Sequence, residues 1–245
     1  MTNVAISEKK MVCTDLDGTL VGDDWSMYRL FESVDTGSIL LVFCTGRDLP
    51  SVLGLIERKG IPAPDVCICQ VGTEIYYFLD EPTPDEYWRR IISTGWCREA
   101  VLRLLGDIGE LELQEDRWQT EFKISYYLED EQVAAVAEAR RRIEEAGLEA
   151  RLVYSQGRYV DVLPVRAGKA QAAQHVADML GVRREDVVVC GDSGNDLDFF
   201  RAGLKGVIVG NASSELKRYR GENAYHAEGE YGAGMIEGLE HFGFI

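Results

Sequence analysis

Basic residues are scarce in this 245-residue sequence, which has 26 Lys and Arg against 42 Asp and Glu. The formal net charge is −16. Proteins that bind nucleic-acid backbones need a basic surface, so the charge argues against a nucleic-acid partner. The overall field does not attract a small anionic substrate either. Any phosphate site must therefore be a local cluster of cations and backbone N–H groups.

The sequence also lacks long apolar runs and paired cysteine motifs. No run approaches the roughly 18 apolar residues of a membrane-spanning helix, and residues 1–10 lack the apolar stretch of a signal peptide. The six cysteines form no CxxC pair, and most of them lie inside apolar runs. This pattern is typical of buried thiols in a reducing compartment. We therefore expect a soluble, cytoplasmic, monomeric protein without a membrane partner.

Five short apolar runs predict buried strands. They are nearly continuous in Val, Ile, Leu and Cys, which is typical of strands buried on both faces of a parallel sheet. Helical patterns lie between them, such as residues 168–180, which end before Gly181. The alternation predicts an α/β fold with an open, Rossmann-like parallel sheet. The five runs are residues 11–14, 39–44, 66–69, 187–190 and 206–209.

The middle of the chain has a different pattern, in which a helix is followed by antiparallel strands. This order predicts a separate α+β unit. We place the insertion at residues 81–163, with Pro82 and Pro84 at its entry and Pro164 at its exit. The core domain then comprises residues 1–80 and 164–245. The predicted elements of the insertion are a strand over 121–128, a helix over 131–146 and a hairpin over 152–162.

Polar segments follow four of the five predicted strands of the core. Ligands of open α/β sheets bind beyond the carboxyl ends of the strands, so these segments are expected to meet. Their carboxylates repel one another, and a bound cation is the usual compensation. All-oxygen ligands favour Mg²⁺, and the three histidines lie outside the segments. The segments are DLDGTL (15–20), TGR (45–47), QVGTE (70–74) and GDSGND (191–196).

Each of these motifs has an ordinary structural explanation when it is taken alone. A DxD after a strand also occurs in turns and helix caps, and Thr45-Gly46 fits a helix N-cap as well as an anion site. Lys169 alone would most often be a solvated helix residue. A lysine at the start of a helix opposes the helix dipole, however, so an anionic neighbour is expected. Together, the motifs predict one acidic, cation-binding site.

The motifs DxDGT, Thr-Gly-Arg, a lysine opening a later helix and GDxxND occur in this order. The set resembles the haloacid dehalogenase superfamily of aspartate-nucleophile phosphatases. Because the motifs span Asp15 to Asp196, the resemblance covers most of the chain. It implies a Rossmann-like haloacid dehalogenase core with an inserted α+β cap domain. It also implies a Mg²⁺-dependent phosphatase that forms an aspartyl-phosphate.

The resemblance also implies a role for each motif residue. Asp15 is the expected nucleophile and a Mg²⁺ ligand, and Asp192 is a second ligand. Asp17 is the expected general acid and base, with its backbone carbonyl on the metal. Asp196 is expected to orient Lys169 and metal-bound water. The residues expected to contact the phosphoryl group or the rest of the substrate are Thr45, Gly46, Arg47, Gly72, Lys169 and Asn195.

The inserted unit resembles the cap of sugar phosphatases, and residues 72–76, 123–127, 160–164 and 190–196 are similar to sucrose-phosphate phosphatases. By this resemblance Glu74 and Lys123 bind sugar hydroxyls, and Asp161 is a further candidate. Lys123 equally fits the solvated face of a strand. Gly18 and Leu20 stand where sucrose phosphatases often carry Asn and Trp. The resemblance implies sucrose-6-phosphate as the substrate, hydrolysed to sucrose and phosphate. The departures at Gly18 and Leu20 leave a related osmolyte phosphate, such as mannosyl-3-phosphoglycerate or glucosylglycerol phosphate, as the alternative.

Two rival functions use similar residues. A sugar phosphomutase of the same superfamily would return the phosphate to another hydroxyl. A receiver-type signalling module also combines acidic residues, Thr and Lys around an aspartyl-phosphate, but it is about half this length and lacks the cap. A P-loop nucleotide binder is not supported, because Lys169 lacks the surrounding glycine-rich motif.

Overall fold

The computed structural model describes residues 9–35, 37–129 and 132–245. These residues contain twelve β-strands and nine α-helices. The strands are β1 (Lys10–Thr14), β2 (Ile39–Cys44), β3 (Val66–Cys69), β4 (Glu74–Phe78), β5 (Pro82–Pro84), β6 (Leu111–Leu113), β7 (Ile124–Leu128), β8 (Ala150–Ser155), β9 (Tyr159–Pro164), β10 (Val187–Gly191), β11 (Lys205–Ile208) and β12 (Ala224–His226). The helices are α1 (Asp24–Ser33), α2 (Leu49–Lys59), α3 (Glu86–Ser93), α4 (Arg98–Leu105), α5 (Val133–Glu145), α6 (Lys169–Met179), α7 (Leu197–Arg201), α8 (Ser214–Lys217) and α9 (Tyr231–His241).

The first compact unit contains a sheet of order β12-β11-β10-β1-β2-β3-β4-β5. Neighbours from β12 to β3 pair in parallel, whereas β4 and β5 pair antiparallel at one edge. All residues of β2 are buried, as expected for a strand covered on both faces. The predicted α/β fold with a parallel sheet is therefore confirmed.

The boundaries of the two units differ from the predicted ones. The first unit comprises Met1–Asp85 and Lys169–Ile245, and the second comprises Glu86–Gly168, where the sequence predicted an insertion at 81–163. The prolines taken as the entry to the insertion belong instead to β5, which pairs with β4 in the core sheet. An edge strand tolerates proline because one side of it needs no ladder hydrogen bonds.

The second unit is an α+β unit with a four-stranded antiparallel sheet of order β6-β7-β9-β8. Ile124, Tyr126 and Leu128 of β7 pack in one apolar cluster with residues of α4 and α5. Because side chains alternate along a strand, Ser125 and its cross-strand partner Asp161 lie on the opposite face. The predicted helix 131–146 corresponds to α5, and residue 131 lies outside the described residues.

Cysteine burial agrees with the apolar runs in which most cysteines lie. Cys13, Cys44, Cys67, Cys69 and Cys190 are buried, and Cys97 is exposed. Among the described residues, no helix has both the length and the apolar character needed to cross a bilayer. Residues 1–8, which the signal-peptide prediction includes, lie outside the described part of the chain.

Candidate active site

Asp15 lies directly after β1, buried at the carboxyl edge of the parallel sheet, with 4% of its surface exposed. Its N–H donates to the carbonyl of Cys190 at 3.0 Å, which extends the pairing of β1 with β10. Burial has the largest effect on the pKa of Asp15 and raises it well above its ordinary value, against the opposing charge of Lys169. The carboxylates of Asp196 and Asp192 raise the pKa further.

Lys169 is fully buried and is the first residue of α6. Its Nζ donates to Asp15 Oδ1 at 2.6 Å, to Asp196 Oδ1 at 2.7 Å and to Asn195 Oδ1 at 3.1 Å. Burial alone would lower the pKa of Lys169, but Asp15 and Asp196 outweigh that effect and raise it above its ordinary value. Lys169 is therefore a charged bridge between two strand ends, which explains a lysine at the start of a helix.

Asp196 is held by the backbone of its own turn. Its Oδ2 accepts from the backbone N–H groups of Asp192 and Ser193, each at 3.1 Å, within a capping box. A Cβ at Gly191 would lie 2.5 Å from the Cβ of Asp196, so only glycine allows this close approach. With Oδ1 on Lys169 and Oδ2 on the backbone, Asp196 is arranged to orient the lysine.

Three carboxylates lie close together and offer the oxygen ligands that a divalent cation binds. One oxygen each from Asp15, Asp192 and Asp196 lies within 4.8 Å of the others. Asp192 Oδ1 accepts from the Thr19 hydroxyl at 3.3 Å, and burial, together with the charge of Asp196, raises the pKa of Asp192 to about 6. Lys169 supplies one positive charge against the three carboxylates. The excess of negative charge on hard oxygen donors fits a divalent cation.

The Arg47 side chain pairs with the Asp17 carboxylate. Its Nε and Nη2 donate to the two Asp17 carboxylate oxygens at 2.6 and 2.5 Å, and its Nη1 donates to Ser51 at 3.0 Å. The hydrogen bonds to Asp17 raise the pKa of Arg47. Thr45 is buried, and its hydroxyl accepts from the Arg47 N–H at 3.2 Å. The sequence predicted Arg47 as a substrate contact and gave no signal of this pairing.

The turn Gln70–Gly72 has left-handed backbone at every residue, with φ of 51° at Gln70, 58° at Val71 and 89° at Gly72. This conformation is costly for a β-branched residue such as Val71. The turn is held by two hydrogen bonds, from Gln70 N–H to Arg47 O at 2.9 Å and from Val71 N–H to Thr45 O at 3.0 Å. A Cβ at Gly46 would lie 3.8 Å from a Val71 methyl. The strained turn therefore positions the predicted phosphate-binding segment.

The predicted sugar contacts lie in both units. Glu74 opens β4 and accepts from the Tyr76 hydroxyl at 3.0 Å. Lys123 and Asp161 belong to the second unit, where Lys123 Nζ and Asp161 Oδ1 are 3.9 Å apart and Ser125 donates to the same oxygen at 2.6 Å. Lys123 is only 5% exposed, so it is not a solvated surface lysine.

Sequence reasoning missed Thr19, Ser193 and Asn211. Thr19 and Ser193 lie inside motifs that were recognised, and each contacts a carboxylate of the site. Asn211 follows the carboxyl end of β11, the kind of position where ligands of open α/β sheets bind, and this place in the sequence is the signal for it.

Comparison with known proteins gives consistent matches over nearly the whole chain. The family model for sucrose-6F-phosphate phosphohydrolase matches residues 8–243. A probable sucrose-phosphatase 3a of Arabidopsis thaliana is 35% identical over 95% of this chain and 59% of its own length. A mannosylfructose-phosphate phosphatase of Agrobacterium fabrum is 33% identical over 96% of this chain and 97% of its own.

A solved structure matches nearly the whole chain. The sucrose-phosphatase of Synechocystis sp. PCC6803, in complex with sucrose and phosphate, has a TM-score of 0.90 and 30% identity, over 97% of this chain and 98% of that one. The chain spans about three fifths of the length of the plant relatives. The resemblance drawn from the motifs is confirmed. The chain belongs to the sucrose-6F-phosphate phosphohydrolase family.

Proposed function

We propose that this protein is a Mg²⁺-dependent phosphatase that hydrolyses sucrose-6-phosphate to sucrose and phosphate. The observation that carries the proposal is the buried bridge of Lys169 between Asp15 and Asp196. This bridge places the proposed nucleophile, the Asp15 carboxylate, next to the Lys169 ammonium, which can bind phosphate. The full-length similarity to a phosphatase solved with sucrose and phosphate supports the choice of sugar.

In the proposed reaction an Asp15 carboxylate oxygen attacks the phosphorus, and the bond from phosphorus to the sugar oxygen breaks. Asp17 gives its proton to that leaving oxygen. Asp17 then takes a proton from water, which attacks the aspartyl-phosphate and frees Asp15 and phosphate. Lys169 and Thr45 hold the phosphoryl oxygens through both steps. The two hydrogen bonds from Arg47 hold the Asp17 carboxyl group in one orientation beside the site.

Mg²⁺ would be held by the carboxylates of Asp15 and Asp192 and by the Asp17 backbone carbonyl. Bound there, the ion would neutralise charge on the phosphoryl oxygens. Asp196 stays with Lys169, because its two oxygens already accept from that ammonium and from backbone N–H groups. This division of tasks explains why the segment 191–196 contains two aspartates.

We assign the specificity for the sugar to Glu74 and to a polar cluster formed by Lys123, Ser125 and Asp161. Among the described residues, Lys123 is 5% exposed and pairs with the Asp161 carboxylate at 3.9 Å, which leaves N–H donors that sugar hydroxyls can use. The Agrobacterium relative gives the main rival substrate, a mannosylfructose phosphate, because it matches this chain over nearly its whole length.

A phosphate-release screen with Mg²⁺ tests the substrate. We expect kcat/KM for sucrose-6-phosphate to exceed that for mannosylfructose phosphate and for simple hexose phosphates by at least about tenfold, since a site built to bind hydroxyls rejects ligands that leave its polar groups unpaired. A higher kcat/KM for mannosylfructose phosphate would contradict the proposed sugar and keep the phosphatase. Dependence on a sugar bisphosphate activator, without net phosphate release, would indicate a mutase.

Lys123→Met tests the assignment of the second unit to sugar binding. We expect kcat/KM for sucrose-6-phosphate to fall about 10- to 100-fold, the value of one charged hydrogen bond. With p-nitrophenyl phosphate, which carries no sugar, kcat/KM is expected to stay near the wild-type value. An equal loss with both substrates would assign Lys123 a purely structural role.

A further inference from the structure

The loop between β11 and α8 contacts both segments that carry the proposed metal ligands. The N–H of Ser213 donates to the carbonyl of Asp192 at 2.7 Å. The side chain of Asn211 donates through Nδ2 to the carbonyl of Gly18 at 2.6 Å. One short loop therefore joins the turn after β1 to the turn after β10, and the contact with the first turn is made by a side chain.

Both polar atoms of the Asn211 side-chain amide make hydrogen bonds. Its Oδ1 accepts from the N–H of Tyr231 at 2.9 Å, while Nδ2 is on Gly18. Tyr231 begins α9 with φ of 49°, an unfavourable value for a residue with a side chain. Its N–H is one of the helix-start donors that need a partner outside the helix. Asn211 thus links a strained helix start to the turn that follows the nucleophile.

The position of Gly18 matters because it lies against a proposed metal ligand. Gly18 has φ of 88°, and a Cβ there would lie 2.5 Å from Asp192 Oδ2. Thr19, the next residue, donates to the other oxygen of Asp192 at 3.3 Å. A shift of the Gly18 carbonyl would therefore move the Asp17–Thr19 turn relative to Asp192. Mg²⁺ tolerates little displacement, because it needs near-octahedral geometry at about 2.0–2.1 Å.

We propose that Asn211 is a positioning residue that fixes the Asp17–Thr19 turn through the Gly18 carbonyl and thereby sets the affinity of the site for Mg²⁺. The inference rests on the proposed Mg²⁺-dependent function. Asn211 touches none of the reacting groups, and it acts through the backbone that carries them. Residues that orient metal ligands in this way typically change metal affinity about 10- to 100-fold when they are removed.

The test is calorimetric titration of Mg²⁺ alone into the full chain, without substrate. We expect Asn211→Ala to raise the dissociation constant of Mg²⁺ by about tenfold or more, and saturating Mg²⁺ to restore most of kcat. Asn223→Ala is the matched control, because Asn223 also donates to a glycine carbonyl, that of Gly203 at 2.9 Å. We expect Mg²⁺ binding of this control to equal that of the wild type. Wild-type binding by the Asn211 variant would overturn the proposal.

Two further measurements guard against a folding defect. Asn211→Leu keeps the branched shape of the side chain and removes both hydrogen bonds, and it is expected to weaken Mg²⁺ binding as Asn211→Ala does. In the wild type, Mg²⁺ is expected to slow hydrogen exchange of the Tyr231 amide more than that of the Ala224 amide. Equal slowing of the two amides would contradict the coupling. A wild type that binds Mg²⁺ but prefers another phosphate would contradict only the proposed substrate.

Discussion

Asp15→Asn is expected to abolish phosphate release while the fold and substrate binding are kept. An amide cannot form the aspartyl-phosphate, so kcat is expected to fall by at least about 10³-fold. The amide oxygen can still accept from Lys169, which donates to Asp15 at 2.6 Å. The lost negative charge also reduces repulsion of the substrate phosphate. Calorimetric binding of sucrose-6-phosphate is therefore expected to be as tight as in the wild type, or tighter.

Asp24→Asn is the control for this substitution. Asp24 makes an ion pair with Lys59 at 2.7 Å, and its side chain is 56% exposed. Because exposed pairs contribute little to stability, we expect this variant to keep wild-type kcat and KM. Turnover of Asp15→Asn comparable to the wild type would contradict the nucleophile assignment. Loss of substrate binding together with activity would indicate that the substitution disturbed the whole site.

The strands and their carboxyl ends were predictable because they depend on local pattern. A continuous apolar run such as β2 has few alternatives to a buried parallel strand, and the topology of the sheet then fixes where Asp15 and Asp192 lie. Lys169 was predictable for a related reason, since a lysine at a helix start requires an anion. These inferences need no knowledge of side-chain conformation.

The features that were missed depend on contacts between distant residues. The pairing of Arg47 with Asp17 joins positions that are 30 residues apart, and either side chain could have found another partner. Val71 adopts left-handed backbone against its own preference, because its N–H and that of Gln70 are both used by the neighbouring segment. Local propensity predicts the opposite backbone at Val71 and says nothing about the pairing of Arg47 with Asp17, and both features occur next to the site.

In the second unit, the buried face of α5 also differs from the face that the sequence pattern predicts. A helix over 131–146 with its valines and isoleucine on one side would include Val133 in that stripe, but Val133 is 59% exposed. It is the first residue of α5, and the buried positions are instead Ala135, Val136, Ala139 and Ile143. Small residues allow the helix to lie close to the sheet, and an apolar residue at the first position has no preceding turn to fix its direction. A pattern based on large apolar residues therefore finds Val136 and Ile143 and misses Ala135 and Ala139.

Lys169→Met is expected to lower both stability and activity strongly. It leaves Asp15 and Asp196 buried without their shared ammonium, and breaking such a pair on one side typically costs about 3–5 kcal/mol in the free energy of unfolding. Loss of a donor to the phosphoryl oxygens is expected to lower kcat by about 10²–10³-fold. Lys59→Met is the control, since Lys59 also binds an aspartate but at the surface, and its cost should not exceed about 1 kcal/mol.

The stability loss in Lys169→Met is expected to depend on pH with a definite sign. Burial already raises the pKa of Asp15 well above its unfolded value, and removal of the ammonium removes the opposing influence. A carboxyl group with a raised folded pKa favours the folded state fully below its unfolded pKa of about 3.9, and this contribution is lost as the pH rises through the folded pKa. The deficit relative to the wild type should therefore be small near pH 4 and grow toward pH 8. Urea unfolding of both proteins between pH 4 and pH 8, in the presence of a chelator, measures this difference in the free energy of unfolding. A deficit that is constant with pH would mean that lost packing, not uncompensated charge, is the cost of removing Lys169.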